Sequence, residues 1–223
     1  MDARVAARLM VAVVGLFTVS RVAGQQRAIE PDLPKLAEGP GLHVFNRSAI
    51  ALSDGARKGL RLSEHPGDGI AYVEGVEFTT GTIEFDVRGK DVQQQSFVGI
   101  AFHGVDGTTY DAIYFRPFNF RTADPARRVR AVQYISRPTY DWQKLRAEHP
   151  SMYEQPVNPA PDPNGWFHAR VVVAGSKVSV FVGDATEPSL VVTPLSQRTK
   201  GRVGVWVGNN SGGDFANLRI RSE

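Results

Sequence analysis

The chain has 223 residues, a length at which a β-sandwich commonly runs as one domain, and its 42% hydrophobic and 22% charged residues suit a globular protein with a full core. It contains no cysteine, which excludes disulfides, thiolate chemistry, cysteine-ligated zinc and a lipid anchor on cysteine. The formal charge of +3 falls to one net positive charge once residues 1–24, with Arg4, Arg8, Arg21 and Asp2, are set aside, so nucleic-acid binding has no electrostatic footprint.

The N-terminus comes first. Arg4 and Arg8 precede an apolar run from Leu9 to Val19, and Val22-Ala23-Gly24 offers a small-residue exit before Gln25. Basic start, short apolar run and small-residue exit predict a secretory signal over residues 1–24, cleaved near Gly24. The run is shorter than the roughly 20 residues a bilayer span takes. The mature protein is therefore expected to be secreted or periplasmic, with no membrane span. Residues 25–41 read as a linker, and residues 42–223 as one domain of short strands separated by turns.

Thr82–Arg88 alternates strictly, placing Ile83, Phe85 and Val87 on one face and Thr82, Glu84, Asp86 and Arg88 on the other. Phe97–Phe102 is apolar throughout, as a central strand packed on both faces would be. Asp111–Phe115 and Val129–Ile135 continue the series. Residues 137–165 break the rhythm with six prolines, a helical turn around Asp141–Glu148, and Tyr140, Trp142 and Tyr153. An ordered loop of this length is usually a lid, a binding loop or a flexible excursion. Its rings either pin it to the domain or line a groove. Trp166–Ala174 and Lys177–Val182 form a hairpin across Gly175-Ser176, followed by strands at Ser189–Val192, Arg202–Val207 and Phe215–Ile220. About 12 antiparallel strands with no long helical period predict an all-β, two-sheet jelly-roll sandwich.

The closing residues Gly201-Arg202-Val203-Gly204-Val205-Trp206 and Phe215-Ala216-Asn217-Leu218-Arg219-Ile220 resemble the last two strands of concanavalin A-like domains. Trp166-x-His168-x-Arg170-Val171-Val172-Val173 and Gly81-Thr82-Ile83-Glu84-Phe85-Asp86-Val87 match further strands of that group. Within it the chain is most similar to the 3-keto-disaccharide hydrolase domain and to secreted laminin-G-like proteins, over roughly residues 42–222. The resemblance implies the sandwich and a glycan ligand. A fold of this kind also hosts lectins, glycosidases, lyases and adhesion modules.

The chemistry-bearing residues narrow the field. Glycoside cleavage needs two carboxyl groups flanking the scissile bond. The laminarinase-like branch carries them as E-x-D-x-x-E; here Glu84 and Asp86 are followed by Arg88 and Gly89, so the third acid is missing. The histidines His43, His65, His103, His149 and His168 show no paired spacing for a transition metal, and no G-x-S-x-G occurs. Asp106-Gly107 and Asp214 lie in turns that offer oxygen ligands to a structural calcium; no other cofactor is expected.

The most suggestive cluster is Tyr114, Arg116 and Asn119, with Gln133 and Tyr134 on the following strand. If Ile113 and Phe115 face the core, Tyr114 and Arg116 point outward. Glu84, Asp86 and Arg88 are expected on the same face, with Trp142 and His168 beside it. Rings, a guanidinium, amides and carboxylates together suit a sugar. The bland alternative is that Arg116 pairs with Glu84 or Asp86 and holds strands in register. The leading expectation is a non-catalytic, lectin-like carbohydrate binder, alone or accessory to glycan processing. The rivals are a sugar-cleaving enzyme using Glu84, Asp86, His168 or Arg116, and an adhesion module with no small ligand.

Overall fold

The computed structural model describes residues 28–223, and the expected signal segment lies outside them. The described chain is a sandwich of two seven-stranded sheets, all neighbouring strands antiparallel. Its elements run α1 (Leu33–Glu38), β1 (Leu42–Phe45), β2 (Ala49–Asp54), β3 (Arg57–Leu62), β4 (Gly69–Phe78), β5 (Gly81–Arg88), β6 (Val98–Gly104) and β7 (Tyr110–Phe115). A 3₁₀ turn (Pro117–Asn119) and α2 (Pro125–Arg128) lead to β8 (Val132–Arg137), α3 (Trp142–Glu148) and β9 (Glu154–Gln155). The chain closes with β10 (Phe167–Ala174), β11 (Lys177–Val182), β12 (Leu190–Val192), β13 (Gly201–Val207) and β14 (Gly213–Ser222). The front sheet has the order β1-β4-β13-β6-β7-β8-β9, and the back sheet β12-β11-β10-β5-β14-β3-β2.

The alternation in β5 sets its orientation. Ile83, Phe85 and Val87 are fully buried between the sheets, while Glu84, Asp86 and Arg88 face outward. Each buried phenylalanine contributes about 1.5–3 kcal/mol through the water it sheds. On the front sheet the inward set is Val98, Ile100 and Phe102 of β6, with Ile113 and Phe115 of β7 opposite them. The Phe115 ring meets Phe167 of the back sheet edge-on at 5.1 Å between ring centres, which closes the core. β6 is buried along its whole length, as its apolar run predicts.

Three expectations are revised. Val129–Arg130–Ala131 is not strand: Asp124 caps α2 by accepting from the Ala126 amide, and β8 begins only at Val132. Residues 28–41 do not behave as a linker. Ile29 pairs with Ile220 by two backbone hydrogen bonds, and α1 buries Leu33 against the sandwich. The segment 137–165 is also more ordered than a loop. Asp141 caps α3 through the Lys144 amide, and β9 adds a short edge strand to β8.

Candidate functional site

Strand pairing divides the expected site into two places on opposite faces of the molecule. β5 and β10 belong to the back sheet, whereas β7 and β8 belong to the front. Glu84, Asp86, Arg88 and His168 therefore do not share a face with Tyr114, Arg116 and Gln133. Arg116 pairs with neither Glu84 nor Asp86, contrary to both readings of that cluster.

On the back face the register sets His168 opposite Asp86, and His168 Nδ1 lies 2.9 Å from an Asp86 carboxylate oxygen. Asp86 also accepts from Asn217 at 2.9 Å and Arg57 at 3.4 Å, and Glu84 accepts from Arg221 at 2.8 Å. Burial alone would raise the Asp86 carboxyl, but the His168 and Asn217 hydrogen bonds and the His168 charge hold it below the ordinary range. His168 is raised, first by its hydrogen bond to Asp86 and then by the charges of Asp86 and Glu84. Arg88 bridges Asp214 and Asp54, and its guanidinium lies 4.9 Å from the Trp166 ring centre. A hollow of about 500 Å³ lies beneath residues 30–34 and is lined by Glu84, Asp86 and His168, but by no tryptophan, tyrosine or phenylalanine. Two carboxylates and a histidine do converge here, and no residue of the 137–165 segment lines the hollow.

The front face is different. β13, β6 and β7 lie side by side with Trp206, Gly99 and Tyr114 in one row. Because the central residue has no side chain, the two rings meet across it, 4.9 Å apart. A Cβ on Gly99 would stand 2.1 Å from the Ile113 carbonyl oxygen, so no other residue fits without moving β7. Trp206 donates to Tyr110, and Tyr114 donates to Gln133. Above this nearly covered floor rise Phe97, Asn209 and Trp142, the last 43% exposed. They border a groove of two adjoining lobes, about 320 and 260 Å³, the size of a small-ligand site.

Of the expected front residues, Tyr114, Arg116, Asn119 and Trp142 line this groove, and Gln133 lies buried behind Tyr114 and Arg116. Arg116 is buried and donates to the Tyr114 hydroxyl, Gln133 Oε1 and the Arg130 carbonyl. Burial pushes the Tyr114 phenol up to about 12, opposed by the Arg116 charge. Tyr134 is corrected: it points into the sandwich, where its hydroxyl donates to Asp111 and its ring packs on Tyr153. The rings of the 137–165 segment divide their tasks. Tyr153 pins the segment, and Trp142 lines the groove. Sequence reasoning missed Phe97, Arg130, Arg146, Asn209 and the site role of Trp206. Of these only Trp206 carried a signal, since Val203, Val205 and Val207 turn it outward by alternation.

The residues expected to offer oxygens to calcium are engaged by donors of the chain itself. One Asp106 oxygen accepts from both Thr108 donors and the Thr109 amide, and Asp214 is clasped by Arg61 and Arg88. Among the described residues no group of three or more His, Asp or Glu could hold a metal.

Two stacked antiparallel sheets of this kind are a concanavalin A-like sandwich fold. Solved structures share it. A carbohydrate-binding module, CBM66, from Bacillus subtilis matches with a TM-score of 0.56 at 15% identity over 80% of this chain and 93% of its own. A Bacillus subtilis protein with a galectin-like fold matches at 0.58, 11% identity, 87% and 94% coverage. The exoplasmic/lumenal domain of VIP36 in its Ca²⁺/mannose-bound form matches at 0.56, 7% identity, 88% and 89% coverage. No family model and no curated protein matches the sequence. At these identities the likeness is one of fold.

Proposed function

We propose that this protein is an exported, lectin-like carbohydrate binder whose glycan lies in the front-sheet groove between Trp142 and Asn209. The observation that carries the reading is the set of rings Trp142, Phe97, Tyr114 and Trp206 with amides and guanidiniums at one opening. Rings cover the apolar side of a pyranose, and Asn209, Asn119 and the arginines reach its hydroxyls. The solved carbohydrate-binding module and the mannose-bound lumenal domain of like fold support a glycan as the ligand class. Export rests on the sequence of residues 1–24, and among the described residues no helix is long and apolar enough to cross a membrane.

The reading is non-catalytic. Asp86, paired with His168, lies below the ordinary carboxylate range and so does not serve as the protonated member of a carboxyl pair. Glu84 is engaged by Arg221, and Arg116 lies on the other sheet.

A glycan array with the wild-type protein, Trp142→Ala and the back-face control His168→Ala tests the assignment. Wild type and His168→Ala are expected to bind the same glycans, and Trp142→Ala to lose at least tenfold in affinity. Unchanged binding by Trp142→Ala, or loss confined to His168→Ala, would move the site elsewhere.

A further inference from the structure

The larger lobe of the groove is lined by four arginines, Arg116, Arg127, Arg130 and Arg146, and by no carboxylate. Behind them, among the described residues, stands a single acid. Glu154 takes two hydrogen bonds from Arg146, at 2.9 and 2.7 Å, and lies 3.6 Å from Arg130 and 3.7 Å from Arg116. One negative charge thus serves three guanidiniums. Arg127 bonds only neutral oxygens, Asn119 Oδ1 and the Phe118 carbonyl, and among the described residues it has no carboxylate within 4 Å. Arg116 is buried, and its hydrogen bonds also end on neutral acceptors. Burial and the like charges of Arg146 and Arg130 push its guanidinium below the usual value.

This surplus is local, since without residues 1–24 the chain carries one net positive charge. Cationic groups gathered without counter-charges are destabilising unless an anion joins them. The same guanidiniums are interleaved with the rings: Arg146 lies 4.9 Å from the Trp142 ring centre, and Arg116 lies 4.8 Å from Tyr114 and 5.8 Å from Phe97. The smaller lobe has the opposite character, with Asp68 and Asp141 on either side of Arg137, at 3.7 Å each. The groove therefore has a cationic end and a mixed end, joined by rings.

We infer that the glycan taken by this groove is anionic, a sugar bearing carboxylate or sulfate groups, with the acidic group at the Arg116–Arg127–Arg130–Arg146 end and a sugar ring against Trp142. The inference rests on the carbohydrate-binding reading of the same groove. Guanidinium forks match carboxylate and sulfate oxygens in paired hydrogen bonds. The small volume of the groove and the single net positive charge of the chain without residues 1–24 favour a sugar over a nucleic-acid strand, which takes a longer basic track.

Titration calorimetry with matched ligands tests it. The probes are oligogalacturonate against its fully methyl-esterified form, and a dextran sulfate oligomer against the unsulfated oligomer, at low ionic strength. At least one charged member is expected to bind tenfold or more tightly than its neutral partner; which one does so tells a carboxylate from a sulfate ligand. Arg127→Gln and Arg130→Gln, both at partly exposed side chains, are expected to cut that preference at least fivefold and to flatten its salt dependence. Equal binding within each pair would overturn the anionic assignment while leaving the carbohydrate reading intact. Binding of none of the four would overturn both. Charge preference unaffected by the two substitutions would place the acidic group elsewhere, and equally tight binding of a single-stranded DNA oligomer would overturn the sugar class.

Discussion

The back face and the front groove both gather arginines, but they balance them in opposite ways. On the back sheet and its edge, Arg57, Arg61, Arg88, Arg219 and Arg221 meet Glu30, Asp54, Glu84, Asp86 and Asp214 within 3.4 Å. Cation and carboxylate alternate across neighbouring strands, so the network neutralises itself. Such partly exposed pairs individually contribute about 0–1 kcal/mol, and their main effect is to hold strands in register. At the front, Glu154 is, among the described residues, the only acid beside three guanidiniums, and a fourth has neutral partners. The back face is electrostatically complete, and the front is not. The back hollow is thus the weaker candidate, because its polar groups already satisfy one another.

The contrast breaks most directly at Glu154. Its replacement by alanine leaves Arg116 and Arg146 with no anion in a buried setting, and is expected to cost about 3–5 kcal/mol. Removing Asp54, whose side chain is 41% exposed at the back, is expected to cost far less. Urea unfolding of the two alanine variants compares them directly, and similar losses would erase the distinction.

A smaller effect is expected in the floor. Gly99→Ala drives a methyl group toward the Ile113 carbonyl, and should cost about 1–3 kcal/mol by forcing β6 and β7 apart. Near-ultraviolet circular dichroism should report it as a change around Trp206 and Tyr114. An unchanged melting temperature and spectrum would mean that the rings meet for another reason.

Trp142→Ala sharpens the comparison from the other side. Because this ring is partly exposed at the groove rim, stability should change by no more than about 0.5 kcal/mol while glycan affinity falls. A cooperative loss of stability matching that of a core ring would make Trp142 structural.

The smallest expected effect is the pH response of the back face. His168 is raised above its ordinary value of 6.5, so its ion pair with Asp86 contributes fully below that value and is lost as pH rises through the folded value. With a side chain 40% exposed, the screened contribution is about a few tenths of a kcal/mol. Wild type should therefore lose slightly more stability than His168→Gln between pH 6 and pH 8. An equal slope in both would detach His168 from the pH response.

Local rules made part of this arrangement legible. Alternation placed Ile83, Phe85 and Val87 inside and Tyr114 and Arg116 outside, and Asp141 marked the start of a helical turn. Which sheet each strand joins was not legible, because β5 finds β10 and β14 far along the chain while β7 pairs with its immediate neighbours. A single alternation pattern is compatible with either sheet, so two outward-facing sets looked like one. Glu154 was silent for a related reason. Its significance depends on Arg116, Arg130 and Arg146 converging from three separate elements, and no spacing in the chain encodes that meeting. Residues 28–41 were misread as a linker although Asp32-Leu33-Pro34 carries an N-cap and a helix-start proline.

The chain's three tryptophans fall one to each setting described above: Trp142 open at the groove rim, Trp206 enclosed in its floor, and Trp166 stacked between Arg57 and Arg88 on the opposite side. The unlabelled protein therefore carries its own optical reporters. An added quencher in solution should darken Trp142 first, a bound ligand should shield that same emission, and the slow-quenching remainder should track the integrity of the sandwich independently of occupancy.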